Sequence, residues 1–94
     1  MTDINETIAQ RAYTHGEFRL VAAVSQSIKD AMRSGPQWNQ MKPAQKESLE
    51  MIATKLARCV CGDSTEPDHL HDVTGYSRLY LLNIDGDENE LEIA

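Results

Sequence analysis

PAQKESLEMIATKLARCVCG, residues 43–62, decides the fold. Leu49, Ile52, Ala53, Leu56 and Val60 recur every three to four positions. That is the period of one helix face, and an alternating strand pattern fails here. Pro43 suits a first turn, where its missing N–H has no partner to lose. Gly62 suits the cap at the far end. The spacing predicts a helix from Pro43 to about Cys61. At about 100° per residue, Glu47, Glu50, Thr54 and Arg58 fall opposite the apolar stripe. Lys55 falls at its flank, where the stem can lie on the core edge while the ammonium reaches water.

Working outward toward the N-terminus, Pro36 to about Lys42 reads as a loop carrying the single Trp, Trp38. Gly35-Pro36 stops an earlier helix, because proline cannot continue one. That helix runs from Glu17 to Ser34 with Leu20, Val21, Val24, Ile28, Ala31 and Met32 at helical spacing. Before it, Asp3 with Glu6 forms a capping-box pattern ahead of Ile4, Ile8 and Ala12. Gly16 can close this short helix in a left-handed cap.

Toward the C-terminus, Asp63 to Pro67 is a connection. Thr65 with Asp68 gives a capping pair, and Pro67 sits where first-turn prolines sit. A last helix is predicted from about Glu66 to Asn83, ended by Asp85-Gly86. Leu70, Val73, Ser77, Leu81 and Ile84 form one face. Asp68, Asp72, Gly75 and Leu79 lie opposite, with Tyr76 and Leu82 beside them. Apolar residues on both sides mark a central helix or an interface, so a homodimer is expected. Gly75 inside this helix costs about 1 kcal/mol relative to Ala. Such a glycine points to close approach of another backbone or a ligand, or to plain helix–helix packing. The expected fold is all-α, a small bundle of three long helices plus a short N-terminal helix. Residues 1–86 form one helical domain, and 87–94 form an acidic C-terminal tail.

Composition narrows the function classes. A chain of 94 residues fits one small domain, which buries only roughly two thirds of its unfolded surface. No apolar run reaches the roughly 20 residues that span a bilayer. The N-terminus is polar, and two cysteines are too few for a stapled secreted scaffold. A cytoplasmic, reduced location in a host cell is expected, with no membrane contact. Fifteen acidic against nine basic residues give a net charge of −6, which argues against direct nucleic-acid binding.

The densest polar cluster is Asp68-His69-Leu70-His71-Asp72. Asp68 and Asp72 are helix neighbours at i, i+4, and His69 and Asp72 at i, i+3. Such a face can hold a divalent cation if another helix adds ligands. Equally, Asp68 can serve as a cap and Asp72 can pair with a base. Cys59 and Cys61 with His69 and His71 resemble a zinc set, but residues i and i+2 of a helix point about 200° apart. No nucleophile elbow or glycine-rich phosphate loop is present. Asp85-Gly86-Asp87-Glu88-Asn89 lacks the glycine and closing glutamate of a calcium loop.

Arg11 through Phe18, then Met51-Ile52, Lys55 through Arg58 and Gly62, then Asp68, Asp72-Val73 and Gly75-Tyr76, resemble a family of small phage and prophage proteins of uncharacterised function. The resemblance spans most of residues 8–80 and implies a phage accessory role. The pattern also resembles the all-α MazG-like nucleoside-triphosphate pyrophosphohydrolases, which pair E-x-x-E on one helix with E-x-x-D on the next to hold Mg²⁺. Glu47-x-x-Glu50 matches the first half. His69-x-x-Asp72 departs from the second, with His69 in place of an acid and Asp68 in the preceding turn.

Two readings follow. In the first, the chain binds a host protein with a basic surface stoichiometrically and inhibits it, as an anti-defence protein would, without a cofactor. A CRISPR effector or other nucleic-acid-binding protein is such a target. Glu47, Glu50, Asp68 and Asp72 would form the acidic surface, with Tyr76 or Trp38 as an aromatic anchor. In the second, implied by the MazG-like resemblance, the chain is a Mg²⁺-dependent nucleoside-triphosphate pyrophosphohydrolase or a nucleotide-binding relic of one, in which Asp68, Asp72, Glu47 and Glu50 would hold Mg²⁺ while Lys55, Arg58 or Arg78 met phosphates.

Overall fold

Each helix begins where a side chain satisfies one of its unpaired amides. In the computed structural model, which describes residues 3–85, the Asp3 carboxylate accepts from the Asn5 amide at 3.0 Å and opens α1 (Ile4–His15). Glu17 accepts from the Leu20 amide at 3.1 Å and opens α2 (Phe18–Arg33). At the head of α3 (Pro43–Cys61), the Gln45 side chain accepts from the Lys42 amide at 3.1 Å. The cap of α4 (Pro67–Leu82) is Glu66 rather than Thr65. The Thr65 hydroxyl is already committed to the Asp63 carboxylate at 2.6 Å, so it is not free to cap. One 3₁₀ turn, Trp38–Gln40, lies in the loop between α2 and α3. The expected domain end at 86 and the tail 87–94 lie outside the described residues.

Among the described residues the fold is all-helical, with three long helices and a shorter N-terminal one. No helix among them is long and apolar enough to cross a membrane. α3 is the middle element, with α2 along one side and α4 along the other; α2 and α4 scarcely touch. Both flanking helices run antiparallel to α3. Ser25 meets Thr54 at 3.4 Å, and Arg33 pairs with Glu50. On the other side Lys55 pairs with Asp72 at 3.0 Å, and the Gln45 amide donates to the Ile84 carbonyl at 3.3 Å.

This arrangement corrects three expected faces. On α3, Glu50 and Thr54 do not face solvent; they meet α2. Glu50 and Lys55 point about 140° apart, so a helix packed on both flanks must use polar residues on at least one. The buried positions of α3 are Ser48, Ala53 and Ala57. Two members of its apolar stripe stay in solvent, Leu56 at 39% and Val60 at 72% exposure. On α2, the inward residues are Val21 and Ser25, whereas Leu20 is exposed. On α4, the expected core residues Leu70, Leu81 and Ile84 are exposed. The side that is half-buried or better carries His69, Asp72, Val73, Tyr76 and Tyr80. The inward side of α4 thus carries amphipathic rings rather than leucines, together with Asp72, which ion-pairs with Lys55 of α3.

The ends of α1 and α3 meet backbone to backbone. Gly16 has φ +93° and closes α1 as expected. A Cβ there would lie 2.7 Å from the Cys61 carbonyl carbon, and one on Gly62 would lie 2.3 Å from the Thr14 carbonyl oxygen. Only glycine permits this approach. The Asp63 amide then donates to the Thr14 carbonyl at 2.9 Å, tying the start of the α3–α4 connection to α1.

Candidate functional site

The carboxylates singled out in the sequence do not converge. Glu50 is held by Arg33 of α2. Glu47 is exposed one helical turn nearer the start of α3. Because α3 and α4 are antiparallel, Asp68 at the first turn of α4 lies at the opposite end of the pair from Glu47. Asp68 is exposed, and its amide, not its carboxylate, takes part in the cap. Asp72 faces the seam and takes the Lys55 ammonium at 3.0 Å on Oδ2. The Lys55 hydrogen bond holds the Asp72 carboxyl below its ordinary range, with the Lys55 charge adding to the effect. Among the described residues no three His, Cys, Asp or Glu side chains come together as a metal set.

The cations expected to meet phosphates are likewise spread. Lys55 is committed to Asp72, and its side chain is only 13% exposed. Arg58 is half-buried near the end of α3, where its charge acts on His15 and Asp72. Arg78 is exposed on the outer side of α4. Of the two proposed aromatic anchors, Trp38 is half-buried under the Lys46 ammonium at 5.8 Å, a cation–π contact. Tyr76 is half-buried at the edge of the α4 groove.

His69 belongs to the core and is not a ligand candidate. It is 2% exposed, and its Nε2 lies 3.1 Å from the Thr14 carbonyl oxygen. With the proton on Nε2 the ring donates to that oxygen, pinning α4 to the end of α1. His15 stacks edge-on against it, with ring centroids 5.5 Å apart. Burial and then the neighbouring Arg58 charge push the His15 pKa down. Cys59 and Cys61 are free, half-buried thiols. Two positions along from His69, His71 points outward into the α4 groove. The four zinc-type residues are therefore distributed over different sides.

That groove is a shallow, open depression on the outer side of α4. It is lined by His71, Asp72, Gly75, Tyr76, Arg78 and Leu79 and has a volume of about 480 Å³. Its floor is Gly75, which has nothing within 4 Å of the place a Cβ would occupy. The close approach expected of this glycine is therefore not made within the chain. The sequence pattern placed Asp72, Gly75 and Leu79 on one face with Tyr76 beside them, as the groove has them, but did not assign Arg78 or His71 to it. The signal was their placement one turn either side of the glycine.

No protein-family model, no curated protein and no solved structure matches the chain. The reading of function therefore rests on these surfaces.

Large apolar side chains are exposed on every helix: Ile4 and Ile8 on α1, Phe18 and Leu20 on α2, Leu56 and Val60 on α3, and Leu70, Leu79, Leu81 and Leu82 on α4. By contrast, the buried apolar residues among those described are Val21, Ala53 and Ala57, all small or medium. Where exposed apolar side chains of this kind adjoin one another, they mark interaction sites.

Proposed function

We propose that this protein acts stoichiometrically, as a binding module that covers its exposed helix faces with a macromolecular partner. The observation that carries the reading is the mismatch between its small buried core and the large apolar residues left on all four helices. A binding function uses such surface directly, since burying it on a partner supplies roughly 25 cal/mol per Å² of apolar area. The net charge of −6 favours a partner with a basic surface, such as a nucleic-acid-binding host protein, by speeding encounter and disfavouring acidic competitors. Glu47 and Asp68, exposed and outside any ion pair among the described residues, are the acids best placed to meet it. Glu50 and Asp72 contribute less, since each is already neutralised by a neighbour. The phage-type resemblance of the sequence fits an accessory inhibitor of host defence. The reading requires neither Mg²⁺ nor nucleotide.

Purified tagged protein, incubated at low salt with lysate of the host cell, should retain a partner in fixed molar ratio. Added salt should release that partner, and charge reversal of Glu47 and Asp68 together should weaken its capture at least tenfold. Absence of any salt-sensitive partner, or pyrophosphate release from nucleoside triphosphates with Mg²⁺, would overturn the proposal.

A further inference from the structure

α1 is fastened to the rest of the molecule by its last turn. None of its 12 residues is buried, and only Thr7, Thr14 and His15 are even half-buried. At that turn the Thr14 carbonyl accepts from two groups outside its own helix. One is the Asp63 amide at 2.9 Å; the other, with its proton on Nε2, is the His69 ring at 3.1 Å. The backbones of Gly16 and Gly62 meet beside it. His15 sits in the same contact, its ring centroid 5.5 Å from that of the buried His69. A side chain whose charge changes near neutral pH thus occupies the turn that holds α1 down.

The surroundings favour His15 as a neutral ring. Burial withdraws water from the charged form, and Arg58 and Lys55 of α3 and Arg11 of α1 set positive charge around it. His69 of α4 adds to that charge when it is itself protonated. Among the described residues no carboxylate lies within ion-pairing distance of the His15 ring. Asp63, in the α3–α4 connection, is turned to the amide and hydroxyl of Thr65. Glu17, at the head of α2, is turned to Arg19 and the Leu20 amide. Cys61, which backs onto Gly16, offers a thiol. A proton on His15 therefore adds an uncompensated cation to the fastening turn, and undocking returns that cation to water.

We propose that α1 is an acid-released arm: protonation of His15 undocks it from the end of α3 and the start of α4, while the three long helices stay packed. Undocked, the ring has its ordinary pKa of 6.5, and docked its pKa is lower. The docked state keeps its full advantage above about pH 6.5 and loses it as pH falls toward the docked value. The long helices are tied elsewhere, through Ser25 to Thr54 and Asp72 to Lys55. Asp72 stays ionised in this range, because Lys55 holds its carboxyl below the usual 3.8. Release of α1 stands apart from the choice of binding partner.

Hydrogen exchange of the intact chain, followed by NMR at about pH 7.5 and about pH 5.5 and corrected for the intrinsic pH dependence of exchange, tests this release. The reporter is the Asp63 amide, which donates to Thr14. On acidification its protection and that of the last turns of α1 should fall about threefold or more, while amides in the middle of α3 keep theirs. His15→Gln should show equal protection at both pH values. The wild-type His15 ring resonance gives a second reading, valid whether or not the variant keeps α1 docked. Its titration midpoint should lie below 6.5 and coincide with the loss of Asp63 protection. A ring that titrates at or above that value overturns the proposal, as does α1 protection that ignores pH. So does an equal loss along α3, which is unfolding of the whole chain, or a pH response that survives in His15→Gln.

Discussion

Three glycines show how differently the same residue is used. Gly16 needs its positive φ, and Gly16 and Gly62 are both walled in by backbone. Gly16→Ala should therefore lower unfolding free energy by roughly 2 kcal/mol or more, read by urea denaturation. Gly75 is open to solvent. Gly75→Ala should raise monomer stability by about 0.5–1 kcal/mol in the same assay, since it meets no clash and removes an entropic cost. From the sequence, Gly16 was readable as a left-handed cap because it follows an apolar helical stripe. The approach of Gly62 to Thr14 was not, because it joins residues 48 positions apart. His15 adds a pH dependence. Its pKa is lowered from 6.5 in the folded state, so below about pH 6.5 the unfolded chain binds more protons and stability falls. Thermal midpoints taken from about pH 8 down to about pH 5.5 should drop, and His15→Gln should flatten that slope.

At the scale of elements, the four helices were legible almost to the residue. Caps, prolines and three-to-four spacing are local signals, and α3 begins and ends at the expected Pro43 and Cys61. The faces were less legible. Hydrophobic periodicity names one buried side per helix, whereas α3 has two, and its second is lined by Glu50 and Thr54. On α4 the pattern pointed to Leu70, Leu81 and Ile84, yet the buried or half-buried positions are His69, Asp72, Val73, Tyr76 and Tyr80. A test of this register follows. Replacing the buried His69 by Ala should cost roughly 2–3 kcal/mol, combining lost packing with a lost tie to Thr14. Replacing the exposed Leu81 by Gln should change stability by no more than about 0.5 kcal/mol. The reverse order would mean that α4 is rotated about its axis. On the acid side, Asp72 is held ionised by Lys55. The stability it contributes is present above its ordinary pKa of 3.8 and is lost as pH falls through the lowered folded value.

For the molecule as a whole, charge and apolarity are arranged separately. The acids that the sequence grouped on one surface are dispersed, partly consumed by Arg33 and Lys55, and placed at opposite ends of the α3–α4 pair. Helical projection locates a residue around one axis and says nothing of which neighbour it meets, so pairs such as Arg33–Glu50 were invisible. The uncovered leucines and isoleucines predict a binding signal with a hydrophobic dye such as ANS in the native state. That signal should decrease when a partner or second copy covers them. A native state that leaves the dye dark at monomer concentrations contradicts the exposed-face picture.

The central position of α3 also governs how the protein comes apart. α2 and α4 each lean on α3 and scarcely on one another, and each joins it through a hairpin of short sequence separation. Folding should begin at the inner ends of the two hairpins, where Arg33–Glu50 and Lys55–Asp72 close the shorter loops, with the ties of Thr14 to Asp63 and His69 forming later. Opening should be stepwise, with α2 able to peel from α3 without disturbing α4, whereas α4 must also release its tie from His69 to Thr14 at the end of α1. Amide hydrogen exchange would then grade the chain, with protection greatest along α3 and lower on both flanking helices. The same middle helix that gives the molecule little core thus gives it one freely releasable arm, α2, and one, α4, that is held a second time at the end of α1.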